Sequence, residues 1–455
     1  MQTTQEKASG LSASLLDARD LELLSHYLSH TSRTTAFDRD DLYALHVGIP
    51  NLAFSSKPLM SSMLALAAAC QCHDLLAAQH HPSSGPGGGG AADLPRIREL
   101  LELAEQHHGA SLRQIQEDIP STDRYDHVLA NAALMVLYGS ASHWVRIRLV
   151  GVCEAAGARL PAEFVPVQSQ WMSLIRAVHS AYVGLLADQA QNPQVVEMED
   201  CERSSPPRVG FGDVDIACPQ DGPSGETRRL FLPIVAATSG SAASKLRARA
   251  RRVEKNVGSN DASFQACMAA LAALDTTMSE TFQDTGRASF PPKTPESPAT
   301  EEIKEPISPQ SLGRLSNVAP WLRSYTARVT SKSCTASRPL RRTVNSFLNR
   351  VPTAYLHMVQ ATLEHIPLQA ASRSTTGPQG TTPNDDDDSD GAVRRLAMDI
   401  FAHWLVLMLL LDGVWWIGGI GAWELGRVVA YMREIDAKES EAWWPEILDI
   451  QDESS

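Results

Sequence analysis

Residues 400–420 constrain the fold more than any other segment, because they are apolar over a length that could cross a membrane. Asp412 and Gly413 interrupt the middle of the segment, and glycines cluster at its end. A charged residue at the centre of a bilayer is costly, and glycine weakens a helix. We therefore expect a buried helix at the centre of a helical core. A tail anchor in a membrane is the alternative.

Apolar residues elsewhere recur at the spacing of helices, and no period-two segment bounded by hairpin turns is found. A helix is predicted to begin near Asp17, whose side chain can cap free N–H groups, and another at Pro58, which suits a first turn. The Ala-rich helix after Pro58 is predicted to be central. Further helices are expected over residues 93–119, 125–138, 171–186, 264–278, 344–363 with a break at Pro352, and from 393 onward. The sequence thus predicts an all-α fold.

Stretches rich in Pro, Gly, Ser or charge divide the chain. Residues 1–15 are predicted to be a disordered N-terminus, residues 16–435 a single helical domain, and residues 436–455 an acidic tail. Within the domain, insertions at about 192–259, 285–311 and 370–391 are predicted to be disordered, because their composition is too polar to bury a core. Residues 47–58 are predicted to form a loop.

Composition argues against several kinds of chemistry. The net charge of -13 disfavours non-specific nucleic-acid binding by the chain. Seven scattered cysteines indicate free thiols in a reducing compartment, and Cys70 and Cys72 are interpreted as small packing residues. His26 and His30 have a spacing that suits a metal, but they are interpreted as ordinary surface residues. No phosphate loop, nucleophile elbow or zinc-protease motif is present. We therefore predict no catalytic residue, no metal ligand and no resident cofactor, and a protein that is not an enzyme.

A dense basic run lies in the region predicted to be disordered. It comprises Lys245, Arg247, Arg249, Arg251 and Arg252. Such runs are typical of nuclear import signals. A solvated basic helix is the alternative.

Four segments, taken in order, resemble the regulatory region of fungal zinc-cluster (Zn2Cys6) transcription factors, most closely that of the sterol-uptake-control regulators. The segments are residues 20–27 with 49–54, 58–67, 170–178 and 404–426, and LDGVWWIG at 411–418 is the most characteristic. The resemblance spans about residues 16–435. It implies an all-helical effector domain in a nuclear regulator of genes transcribed by RNA polymerase II.

In the sterol-responsive members, this domain binds a lipid in an apolar pocket. The resemblance therefore implies an apolar ligand such as a sterol. The pocket residues that we expect here are Met63, Trp404, Leu411, Trp415 and Trp416. Ordinary core packing is the alternative explanation for them.

The chain departs from the family in one respect. The family's DNA-binding unit holds two zinc ions on six cysteines in an arrangement of the type C-x2-C-x6-C, and this sequence has no C-x2-C. Zinc as a cofactor and DNA as a partner therefore follow only from the resemblance. Either an N-terminal cluster is missing from the gene model, or the protein is a co-regulator that forms homodimers, or heterodimers with zinc-cluster regulators. In both cases we expect a nuclear protein without a membrane partner.

Overall fold

The computed structural model describes residues 16–78, 94–118, 125–155, 157, 160–166, 170–187, 222–282, 313–330, 339–366, 387–435 and 444. These residues form helices and no strand, which confirms the predicted all-α class. The helices are α1 (Ala18–His26), α2 (Ser32–Thr35), α3 (Arg39–Tyr43), α4 (Ile49–Ala53), α5 (Lys57–Ala78), α6 (Leu94–Asp118), α7 (Tyr125–Ala155), α8 (Gln170–Ala187), α9 (Gly225–Val257), α10 (Ala262–Phe282), α11 (Pro320–Val329), α12 (Leu340–Arg350), α13 (Thr353–His365), α14 (Asp387–Leu409) and α15 (Ile420–Ile435).

Helix α1 begins as the sequence predicts. Asp17 accepts from the backbone N–H of Asp20 at 2.8 Å, and Asp20 accepts from the backbone N–H of Asp17, so the two carboxylates form a capping box. A π-helical segment, Tyr27–Thr31, then joins α1 to α2 without a break.

Residues 47–58 are not the predicted loop. A second π-helical segment, Ala44–Gly48, leads directly into α4, where Pro50 occupies the first turn. Proline is tolerated there because the N–H that it lacks would have no helical partner. Gly48 is needed for space, since a Cβ at this position would lie 2.7 Å from the ring of Trp321.

Helices α5 and α7 form the centre of the core. Helix α5 contacts α1, α6 and α7, and its alanines allow neighbouring backbones to approach closely. The predicted central position of this Ala-rich helix is confirmed. Both helices are long and apolar enough to cross a membrane, but 72% of the apolar window of α5 and 83% of that of α7 is buried inside the fold. Core helices show the same pattern.

Residues 400–420 are mostly buried, with Asp412 exposed, and the prediction of one continuous helix is wrong. Helix α14 ends at Leu409, residues 410–419 form successive turns, and α15 begins at Ile420. The break has a physical cause at Asp412, whose carboxylate accepts from the Ser224 N–H at 2.8 Å and from the Thr227 hydroxyl at 2.7 Å. Asp412 therefore holds Ser224 and Thr227 at the start of α9, which requires its side chain to leave the apolar core.

The prediction of disorder over residues 192–259 is wrong for its second half, which forms the 33-residue helix α9. The Ser224 hydroxyl caps its start, and Gly258, with φ of +89°, ends it. The buried stripe of α9 is made largely of alanine, so its apolar period is weak in the sequence. The stripe consists of Val235, Ala242, Ala243, Leu246 and Ala250.

The other predicted disordered segments, 1–15, 285–311 and most of 370–391, lie outside the described residues, and so does most of the predicted acidic tail, 436–455. Residues 387–391 and Trp444 are described. Residues 387–391 belong to α14, so the prediction is wrong at that end. Trp444 is buried, and its Nε1 donates to the Thr238 hydroxyl at 2.9 Å on α9.

Candidate functional site

A cleft opens between α7 and α8 on one side and α11 and α12 on the other. It encloses about 620 Å³ of empty space with its solvent mouth included, and the centre of a water molecule can occupy about 60 Å³ of it. The smaller volume holds a few waters, at about 10–15 Å³ each. The lining residues are Thr35, Asp41, Leu45, Ala133, Val136, Leu137, Ile175, Val178, Tyr325, Val329, Arg341, Arg342, Asn345, Asn349 and Trp416.

The two sides of the cleft differ in chemistry. Helices α7 and α8 contribute an apolar wall, formed by Ala133, Val136, Leu137, Ile175 and Val178. Helices α3 and α12 contribute charged and amide side chains, and α11 contributes Tyr325 and Val329. A site of this kind suits a molecule with an apolar body and a few polar atoms, because the apolar wall supplies burial and the polar groups fix orientation.

The polar side is organised around Asp41, whose side chain is 2% exposed. Arg342 Nη2 donates to both of its carboxylate oxygens at 2.6 Å. Arg328 Nη2 lies 3.2 Å from Oδ1, and Arg341 Nη2 lies 3.5 Å from Oδ2. One carboxylate thus joins α3 to α11 and α12.

Burial by itself would raise the pKa of Asp41, but the three guanidinium groups outweigh burial and hold the pKa below its ordinary value. The carboxylate is therefore charged at neutral pH. Three guanidinium groups thus face one buried carboxylate. One of them, that of Arg328, also pairs with the exposed Asp40, whose carboxylate accepts from Nη1 at 2.8 Å.

Three residues that line the cleft carry polar atoms without a partner among the described residues. These atoms are Asn345 Oδ1, Asn349 Oδ1 and Trp416 Nε1. A buried polar atom without a hydrogen bond costs free energy unless water or a ligand satisfies it. The cleft therefore holds unmet hydrogen-bonding capacity beside an apolar wall.

Of the five residues expected to form a pocket, only Trp416 lines the cleft. Met63, Trp404 and Leu411 are fully buried in the core. The Trp404 ring stacks on Phe347 with 5.4 Å between centroids, and its Nε1 donates to the Val344 carbonyl at 2.9 Å.

The remaining expected pocket residue, Trp415, is also buried away from the cleft lining. Its ring lies 5.5 Å from that of His73 on α5. The sequence pattern assigned Trp415 and Trp416 to one pocket, whereas in the structure Trp416 lines the cleft and Trp415 packs against α5.

The basic run lies on the surface of α9. Lys245, Arg251 and Arg252 are exposed, whereas Arg249 Nη1 binds the buried Asp399 at 2.7 Å. Arg247 Nη2 lies 2.8 Å from the Asp275 carboxylate. The run is therefore part of a helix, and some of its charge docks α9 on the core, while its role in nuclear import stays a prediction.

Sequence reasoning missed the polar side of the cleft. Asp41 lies in the acidic run DRDD and the arginines follow Pro339, and both patterns are typical of solvated surface. The only available signal was that two adjacent arginines occupy a helix that must also bury an apolar face. The chain matches no known protein-family model, no curated protein and no solved structure.

Proposed function

We propose that the chain is the helical effector domain of a fungal transcription regulator, and that its cleft binds an apolar molecule carrying a hydroxyl group, with a sterol as the first candidate. The regulatory identity follows from the resemblance of the four sequence segments. The ligand class follows from one observation: Asn345, Asn349 and Trp416 line the cleft together with an apolar wall, and each carries a buried polar atom without a partner among the described residues.

A hydroxyl group satisfies this site better than a charged head group. One hydroxyl can donate to the carboxamide oxygen of Asn345 or of Asn349 and accept from Trp416 Nε1, and a bridging water can donate to the other carboxamide oxygen. An anionic head group would instead compete with Asp41 for Arg341 and Arg342, which already pair with the Asp41 carboxylate.

A sterol is larger than the enclosed part of the cleft, so binding requires a lining side chain to move. Trp416 is the side chain that we expect to move, because it lies on the turns between α14 and α15 rather than within a helix. Its ring is held by Arg341, whose guanidinium lies 5.9 Å from the ring centroid. Ligand binding in this scheme displaces a cation–π contact and leaves the buried ion pairs of Asp41 intact.

A fluorescent sterol that accepts energy from tryptophan provides the binding assay. We expect saturable transfer with the intact chain, and the double substitution Asn345→Leu and Asn349→Leu should weaken binding by about tenfold or more, since both carboxamide oxygens that can accept from the hydroxyl are removed. Asn256→Leu, on the exposed face of α9, is the matched control and should bind normally.

A sterol methylated at its hydroxyl separates polar recognition from apolar adsorption. The methyl ether cannot donate a hydrogen bond, so it should also bind about tenfold more weakly. Equal binding of the two sterols, or binding that is indifferent to the asparagines, would contradict the proposal.

A further inference from the structure

Two pairs of side chains with helical i,i+4 spacing meet where α1 packs on α5. His26 and His30 form one pair, at the end of α1 and within the π-helical segment that follows it, and Cys70 and Asp74 form the other on α5. Each residue offers one ligand atom, and the four atoms all lie within 4.8 Å of one another. The two pairs are about 40 positions apart in the chain, so the grouping is produced by the fold.

We propose that His26, His30, Cys70 and Asp74 form a binding site for one Zn²⁺ ion. Two imidazole nitrogens, a sulfur and a carboxylate oxygen make a four-donor set of the kind that tetrahedral zinc prefers. Mg²⁺ and Ca²⁺ favour sites made of oxygen, so a sulfur and two nitrogens select against them.

The distances fit a tetrahedron around a single ion. Bonds of about 2.1 Å to nitrogen or oxygen and about 2.3 Å to sulfur place neighbouring ligand atoms about 3.4–3.6 Å apart. The Asp74 Oδ2 atom lies 3.5 Å from His26 Nε2, 3.2 Å from His30 Nε2 and 4.0 Å from Cys70 Sγ. Of these three distances only the one to the sulfur exceeds the tetrahedral value, and the remaining pairs of ligand atoms lie within 4.8 Å of one another.

The surroundings orient the ligands for metal binding. The Nδ1 atom of His26 lies 3.0 Å from the hydroxyl of buried Thr31, which leaves Nε2 directed at Asp74. A ligating histidine is commonly oriented through its second nitrogen in this way. The site also has a route to solvent, because the side chains of His30 and Asp74 are 45% and 43% exposed, whereas Cys70 forms its buried floor.

A reactive thiol is the alternative role for Cys70, and its environment disfavours that role. Burial raises the pKa of the Cys70 thiol far above its ordinary value, and Asp74 raises it further. A buried thiol with a raised pKa is a poor nucleophile. When Zn²⁺ binds, the thiol proton leaves to solvent and the metal charge compensates the resulting thiolate.

The test uses Co²⁺ as a spectroscopic substitute for Zn²⁺ in the full chain. We expect one Co²⁺ per chain, with the visible bands of a tetrahedral ion and an ultraviolet sulfur-to-cobalt band, and one equivalent of Zn²⁺ should displace it. Cys70→Ser should remove the sulfur-to-cobalt band. Cys72→Ser is the matched control. Cys72 is equally buried, but its thiol points away from the site and donates to the Ile97 carbonyl at 3.6 Å.

A half-exposed ligand gives a second variant that should not disturb folding. His30→Gln should weaken Zn²⁺ binding by at least about 100-fold, since loss of a direct ligand exceeds the effect of losing an outer partner. His365→Gln, at an exposed histidine on α13, should leave the affinity unchanged. Failure to bind either metal would overturn the proposal, and so would binding that survives both Cys70→Ser and His30→Gln.

Discussion

Arg342 donates through a single nitrogen, Nη2, to both carboxylate oxygens of Asp41, 2.6 Å away and 301 positions earlier in the chain. The contact joins α3 to α12 along the polar side of the cleft. A buried ion pair contributes little net stability when it is intact, but removal of one partner leaves the other charge without compensation. The arrangement therefore makes the cleft sensitive to any loss of the Asp41 charge.

Asp41→Asn should lower the free energy of unfolding by about 3–5 kcal/mol, because three arginines would face a neutral amide. Chemical denaturation measures the change. Asp40→Asn is the neighbouring control: its side chain is 52% exposed, so loss of its pair with Arg328 should cost less than about 1 kcal/mol. Equal costs at the two positions would contradict the description of Asp41 as the buried anchor.

The turns between α14 and α15 should depend on Gly418. Its φ is +47°, and a Cβ would lie 2.2 Å from the ring of Trp144, so Gly418→Ala should cost at least about 2 kcal/mol in thermal or chemical unfolding.

Gly426 lies on the exposed face of α15 with open space around it. Gly426→Ala should therefore stabilise the protein by about 0.5–1 kcal/mol, and a loss of stability there would contradict the α15 assignment.

Stability should fall in mild acid because buried histidines resist protonation. Burial lowers the pKa of His108 and that of His403 from the ordinary 6.5 to about 4. Between pH 6.5 and about pH 4 the unfolded chain therefore binds more protons than the folded chain. The contribution of these histidines to the free energy of unfolding is fully present above about pH 6.5 and is lost as the pH falls toward 4, by up to about 1.4 kcal/mol per pH unit for each group.

His108→Phe tests this dependence at one site. The phenyl ring can keep the contact with Tyr138, whose ring centroid lies 4.5 Å away, so the variant should unfold with a shallower pH dependence between about pH 7 and about pH 5. An unchanged slope in His108→Phe would show that His108 does not contribute.

Nuclear import, if it uses the basic run, should depend on the exposed residues of α9 rather than on those that dock it. The double substitution Lys245→Gln and Arg251→Gln should reduce nuclear accumulation of a fluorescent fusion without lowering its melting temperature. Arg249→Gln should instead destabilise the fold, because it leaves the carboxylate of Asp399 buried without this partner. Undiminished nuclear accumulation in the double variant would exclude the run as the signal.

The helical class was predictable because most helices carry strong local signals. Asp17 caps α1, Pro58 lies in the first turn of α5, and Pro352 separates α12 from α13 as the sequence predicts. Local signals failed where the partner is distant in the chain. The polar composition of α9 suggested disorder, although its N-cap residue, Ser224, is held by Asp412, 188 positions later in the chain.

The sites were less predictable for the same reason. Asp41 and Arg342, and likewise His30 and Cys70, look like unrelated surface or packing residues until the fold brings them together. Four of the five pocket residues were chosen from the most apolar segment and Met63 from the Ala-rich helix, but apolar residues are above all what a core requires. Only Trp416, which lies on a turn, lines the cleft.

A tethered reporter tests the central claim most directly. The chain is fused to an unrelated DNA-binding domain, and transcription is measured in cells with and without sterol. We predict that sterol changes reporter output severalfold, that Asn345→Leu with Asn349→Leu abolishes this response, and that Asn256→Leu keeps it. A reporter that ignores the fused chain in every sterol condition would contradict the account.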